Sequence, residues 1–129
     1  MRESMILLFV AAIPLAAMGE SESVRLEDYA RDIAPIFRRA CYRCHGPDKQ
    51  QGGLRLDRKQ DALAGGEGGK VIIPGKPDAS LLMRLISQPA DSEDIMPQKG
   101  PPLTRTQIAK VRAWIEQGAR WPDTAPGNP

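Results

Sequence analysis

The chain has 129 residues, enough for one domain with a single core and too few for a two-domain enzyme. Aromatic residues make up only 5% and glycine and proline number 12 each, so turns are plentiful and large core-filling side chains are scarce; a buried non-protein group would supply the missing apolar bulk. The formal net charge is +2 with both signs interleaved, which leaves no patch that reads as a nucleic-acid or anionic-membrane surface.

At the amino terminus Arg2 precedes an apolar run over 5–18, and the small residues Ala17 and Gly19 stand where a signal peptidase cuts. The run is shorter than the ~17 to 25 residues of a spanning helix, and Pro14 interrupts it. A secretory signal over 1–19, cleaved after Gly19, is the expectation, followed by a polar leader at 20–25. The mature protein is then periplasmic or otherwise extracytoplasmic, with no stable membrane insertion.

Tyr29, Ile33, Ile36, Phe37, Ala40, Cys41 and Cys44 recur at three- and four-residue spacing, the pattern of one helix face. Pro35 belongs in a first turn, where its missing N–H is not needed, so the N-cap is expected near Asp32 with a looser turn before it. The helix is expected to end as the cysteine pair begins or completes. Residues 46–77 are rich in Gly, Pro and charge and read as a long folded-back loop, with short extended pieces at 53–57 and 70–73. A second helix capped by Asp78 or Ser80 is expected to run to Gln88, its apolar face made by Leu81, Leu82, Leu85 and Ile86. A Pro-rich loop over 89–103 follows. The last helix carries a Thr-x-x-Gln capping box at Thr104 and Gln107, then Ile108, Val111, Trp114 and Ile115 at helical spacing, with Gly118 as its stop. Residues 123–129 read as a frayed, disordered tail.

The chemistry is concentrated in Cys41-Tyr42-Arg43-Cys44-His45. Two thiols about one helical turn apart can add to the two vinyl groups of a single haem, and the adjacent imidazole can reach its iron. A structural zinc site wants four ligands, whereas the chain holds two Cys and one His in all. A thioredoxin-type pair opens a helix after a strand in an α/β pattern, and no such alternation exists here. A plain disulfide across two residues closes too small a loop to stabilise much and leaves the histidine unexplained. One covalent haem c held by Cys41 and Cys44 is therefore expected. His45, the only histidine, is its proximal ligand, which also excludes bis-histidine coordination within one chain. For the distal position the thioethers downstream of the signal are Met83 and Met96. Met83 lies in a helical apolar run and reads as core filler. Met96 precedes Pro97, which biases it to an extended loop able to carry a sulfur to the ring, and it is preferred over Lys99, water or no ligand. His/Met coordination raises the reduction potential and leaves no open position for oxygen or peroxide, which means electron transfer and no catalytic residues.

These residues resemble the planctomycete-type cytochrome c domain, a branch of the class I cytochrome c fold. The likeness covers residues 29–122 and rests on Pro35-Ile36-Phe37, Cys41 to Gly46, Gly53-Leu54-Arg55-Leu56-Asp57, Pro74-Gly75-Lys76-Pro77 with Ser80-Leu81-Leu82, Met96-Pro97, and Trp114 to Ala119. It implies a mostly α cytochrome c domain over 26–122, with three to four helices wrapped around one covalent haem and long Gly/Pro-rich loops. It further implies Cys41 and Cys44 as thioether sites, His45 and Met96 as axial ligands, and Phe37 with Trp114 as an aromatic pair of the haem-packing core. Many class I proteins carry, about a dozen residues after the histidine, a proline whose carbonyl orients the imidazole, and here that stretch reads Leu54-Arg55-Leu56-Asp57. Arg55 is a candidate for a haem propionate, against an ordinary salt bridge with Asp57. Trp121 either lines the haem edge or covers the last helix. The implied partners are a redox donor and an acceptor protein. The competing readings are a haem-bearing subunit of a larger extracytoplasmic enzyme and a haem enzyme or sensor with an open distal site.

Overall fold

The computed structural model describes residues 27–125. The signal expected at 1–19, the leader at 20–25 and the end of the tail lie outside the described residues. Among those described there is no strand, and only two isolated bridges, His45 with Gln50 and Gly66 with Gly69, pair extended backbone.

The first helical stretch opens as a wide π turn, Tyr29–Ile33, and continues as α1, Ala34–Ala40, with Pro35 in its first turn. The N-cap position of α1 is Ile33, beside the expected Asp32 and after the expected looser turn, but no side chain caps it there; the side-chain cap is Asp28, at the start of the π turn. Asp28 Oδ1 accepts the Arg31 N–H at 2.9 Å, and Asp32 Oδ2 reaches back to accept the Asp28 N–H at 2.9 Å. The wide turn is the reason for the difference, because it carries helical geometry upstream of the proline and turns Asp32 inward, where it is 4% exposed. α1 breaks at Cys41, and α2, Tyr42–His45, completes the motif. Cys41 N–H still donates to Phe37 O, and His45 N–H to Cys41 O, both at 2.8 Å, so the two segments form one nearly continuous rod.

The 46–77 stretch is held by backbone hydrogen bonds and short turns, including a single 3-10 turn at Gln51–Gly53. It also contains α3, Lys59–Ala64, an element the periodicity did not reveal. Six residues are too few to show an apolar face and too few to be helical alone. Tertiary contacts hold α3: Ala62 is fully buried, and Lys59 Nζ reaches Asp123 Oδ1 at 3.0 Å. Beyond it, the 3-10 turn Pro77–Ala79 leads into α4, Leu81–Ile86. Ser80 occupies the N-cap position, but its hydroxyl does a different job. It accepts the Ile73 N–H and donates to Lys76 O, both at 2.9 Å, clamping the Pro74-Gly75-Lys76-Pro77 loop from inside the core. α4 ends at Ile86, two residues short of the expected Gln88, whose side chain instead donates to Arg84 O at 3.1 Å.

α5, Arg105–Glu116, starts on the expected capping box: Thr104 Oγ1 accepts the Gln107 N–H at 3.2 Å and Gln107 Oε1 accepts the Thr104 N–H at 2.9 Å. Gly118, at a φ of 104°, reverses the chain after it. α5 packs on the first helical stretch through four aromatic rings. Phe37 meets Trp114 edge to face at 5.9 Å, and Tyr29 stacks on Trp121 at 3.8 Å while also contacting Trp114 at 5.8 Å. The Trp114 indole N–H donates to Arg120 O at 2.8 Å, which folds the segment after α5 back so that Trp121 covers Tyr29. Trp121 therefore covers the last helix.

The Arg31 guanidinium, donating to Asp32 at 2.7 and 3.1 Å, holds the Asp32 carboxyl well below the usual carboxylate range against the opposing effect of burial, and the Asp28 N–H adds to it. A folded-state value below the unfolded one adds stability above about pH 4, which is lost as pH falls through the folded value. Arg31 is 56% exposed, so the ion pair is screened and the backbone bond carries much of the effect. Asp32→Ala should cost about 1 to 3 kcal/mol at neutral pH in urea unfolding. Its stability should also fall less than the wild type's on acidification to about pH 2.

Candidate functional site

The apolar stripe read from the sequence divides into two functions. Its first part, Tyr29, Ile33, Ile36 and Phe37, is buried in the core against α5. Its second part, Ala40, Cys41 and Cys44, lines a cavity of about 460 Å³, within the ~300 to 1,000 Å³ typical of small-molecule sites. Leu54 and Leu56 from the loop after the motif, Val71, and Leu81, Leu82 and Leu85 from α4 give the cavity its apolar walls. Leu56 N–H donates to His45 O at 2.8 Å and Leu82 N–H to Val71 O at 2.9 Å, so backbone bonds fix these walls to the motif and to each other.

His45 and Met96 line the same cavity. The Nδ1 of His45 lies 3.3 Å from Leu54 O. A carbonyl can only accept, so the bond requires the proton on Nδ1 and leaves the Nε2 lone pair for a metal. Leu54 thus provides, through its backbone, the orienting acceptor that the sequence comparison sought in a proline. No side-chain signal could have revealed it. Met96 is fixed by its backbone, whose N–H donates to Leu85 O at 3.1 Å, and it is partly buried against the core. Met83 is 3% exposed, belongs to the core and does not line the cavity.

Cys41 and Cys44 are not joined in a disulfide. Burial, with a smaller contribution from Cys44, pushes the Cys41 thiol up to about 12, so at neutral pH it is a protonated thiol and not the reactive thiolate of a redox-exchange enzyme. Among the described residues no cluster of three or more His, Cys, Asp and Glu side chains suits a metal ion by itself. Two thiols, one imidazole with its distal nitrogen available and one thioether, around an apolar cavity, form a donor set that fits a tetrapyrrole carrying its own equatorial ligands.

Three sequence candidates stand outside the cavity lining. Phe37 and Trp114 make the edge-to-face joint between α1 and α5 and contribute to the core one layer away. Arg55 grips Asp57 in a two-pronged ion pair at 2.7 and 2.9 Å. The cations that do line the cavity are Arg43, Lys49 and Lys99, and no Asp or Glu lines it.

Residues 41–100 match the family model described as Planctomycete cytochrome C. The match spans a little under half of the chain and contains both cysteines, His45 and Met96, so the resemblance read from the sequence is borne out over this stretch. It points to a haem-binding, electron-transfer role, and the all-helical architecture is consistent with a small cytochrome c-like fold. No curated protein and no solved structure matches the chain. No helix among the described residues is long and apolar enough to cross a membrane.

Gly52, Gly66, Gly68 and Gly69 also line the cavity, and Gly66 has no room for a side chain. A Cβ on Gly66 would lie 2.6 Å from Gly52 O and 3.3 Å from Leu54 Cβ, whereas one on Gly68 meets nothing within 4 Å. Gly66→Ala should therefore displace the turn that positions Leu54 and cost about 1 to 3 kcal/mol, while Gly68→Ala should stay within about 0.5 kcal/mol of wild type in thermal or denaturant unfolding.

Proposed function

Starting from residues 41–100 as cytochrome c sequence, we propose that the protein is an exported monohaem c-type cytochrome that carries single electrons between a donor and an acceptor protein. The observation that supports this reading best is the convergence of Cys41, Cys44, His45 and Met96 on one apolar-walled cavity, with the His45 ring tethered to Leu54 O. When bound, an iron tetrapyrrole supplies a one-electron couple there. Cys41 and Cys44 would hold its periphery as thioethers, their sulfurs tying the group to the motif helix. His45 offers Nε2 to the iron while Leu54 O keeps the Nδ1 proton in place and the ring from rotating. Met96 would offer its sulfur from a loop anchored on α4, and a metal held by both His45 and Met96 would have no position left for a substrate. Leu54, Leu56, Val71 and Leu82 keep water from the cavity, and a dry, rigid surrounding raises the potential and limits rearrangement between the two oxidation states. In this reading the residues bind, orient and exclude, and none acts on a substrate. The amino-terminal signal read from the sequence sends the chain to the compartment where haem is attached.

The exported protein should show a c-type visible spectrum when reduced, with haem that resists extraction by acidified acetone. Haem that extracts freely, or no haem, would falsify the reading. Met96→Ala should abolish the methionine-to-iron charge-transfer band. Met83→Ala should keep that band and lose about 2 to 5 kcal/mol of stability, the usual cost of emptying a core methionine site.

A further inference from the structure

The sequence offered Arg55 as the cation for the carboxylate edge of the haem, but its guanidinium is committed to both oxygens of Asp57 and it does not line the cavity. The charged and titratable residues that do line it are Arg43, Lys49 and Lys99 together with His45, Cys41 and Cys44, and no carboxylate is among them. An apolar cavity bordered by three cations and no anion is electrostatically incomplete, because none of the three takes part in an ion pair among the described residues. Two of them sit on loops whose backbones are held. Lys49 O accepts the Gly46 N–H at 2.8 Å, and the Gln50 side chain bonds Gly46 O and Pro47 O at 2.7 and 3.0 Å, which fixes the turn just after His45. Lys99 follows Met96 by three residues in the segment hung on α4, and the Gln98 side chain donates to Glu93 O at 3.2 Å to close that loop. Arg43, by contrast, lies inside the motif helix, between the two cysteines.

Resting on the haem reading above, we propose that Lys49 and Lys99 are the cationic contacts for the two carboxylates of the tetrapyrrole, one from the loop beside the imidazole ligand and one from the loop beside the thioether ligand. Lys49 and Lys99 are exposed and the loops that carry them are hydrogen-bonded, so a ligand's charge meets cations that need no rearrangement of the backbone. Each lysine then ties its loop to the bound group, and the Met96 loop is closed by the ligand's own charge.

Lysine acetylation of the haem-loaded, full-length protein, followed residue by residue by mass spectrometry, tests this. Lys76 and a free lysine derivative added to the sample are the internal standards, Lys76 being similarly exposed and absent from the cavity lining. Lys49 and Lys99 should react about fivefold more slowly than these standards at low ionic strength, the factor expected of an exposed ion pair at the strong end of its range. The protection should largely vanish at about 1 M salt, where exposed charges are screened within ~3 Å. Labelling of Lys49 and Lys99 at the rate of the standards overturns the proposal, and so does protection that salt leaves intact, since that is steric cover. As a second readout, Lys49→Gln/Lys99→Gln should lower the unfolding midpoint of the haem-loaded protein at low ionic strength, and the difference from wild type should shrink at about 1 M salt. Arg55→Gln should leave the Lys49 and Lys99 labelling pattern as it is; if it abolishes the protection instead, Arg55 governs the carboxylates and the assignment is wrong. Covalent haem, measured on every sample, separates the two readings. Full haem content with unprotected lysines removes only the lysine contacts, whereas absence of haem from the wild type removes the function on which they rest.

Discussion

The packing of α1 against α5 through Tyr29, Phe37, Trp114 and Trp121 is the joint on which the rest of the fold depends. The chain has six aromatic residues, and four of them go to this one contact. All four are nearly or fully buried, and the edge-to-face and stacked geometries add directional preference to the apolar area removed from water. Because α1 runs without a real interruption into the Cys41-to-His45 segment, fixing α1 also fixes the thiols and the imidazole. The stripe that begins in the core ends in the cavity.

With the aromatics committed to the joint, the other side of the cavity is made from short loops that have no regular pairing of their own. Their rigidity comes from individual hydrogen bonds: Leu56 to His45, Leu82 to Val71, Gly75 to Ile115, and the buried Ser80 hydroxyl across the 73–76 turn. Such a network satisfies the backbone without a sheet. It does not fill the space between the walls, which is why a cavity of about 460 Å³ persists in so small a domain. A bound apolar group would complete this core as well as carry the chemistry, and its charged edge would meet the only class of charge present at the mouth. Glycine is used here for clearance, since at Gly66 a Cβ would collide with Gly52 O, close to the residue whose carbonyl orients His45.

Much of the site was legible because it is local. The spacing of Cys41, Cys44 and His45 encodes two thiols one helical turn apart followed by an imidazole, and the Thr104 and Gln107 pair encodes a helix start that forms as written. Met83 and Met96 were distinguishable because one lies in an apolar helical run and the other precedes a proline. What escaped depends on partners far along the chain. α3 is stabilised by burial of Ala62 and by Asp123, which no window of six residues contains. The side-chain cap sits on Asp28 because a π turn precedes α1, and that turn packs against α5, a contact no local window contains.

The sequence by itself determined which groups can bond to a haem, in what order and at what spacing, and where the long helix begins, since covalent chemistry and capping act over three or four residues. The tertiary structure decided what surrounds those groups. It turned a leucine's backbone carbonyl toward His45, gave Arg55 to Asp57, and brought Lys49 and Lys99 from loops 50 residues apart to one cavity. The physical reason is that a carbonyl's direction and a cation's neighbours follow from how distant segments pack, and side-chain identity does not encode either.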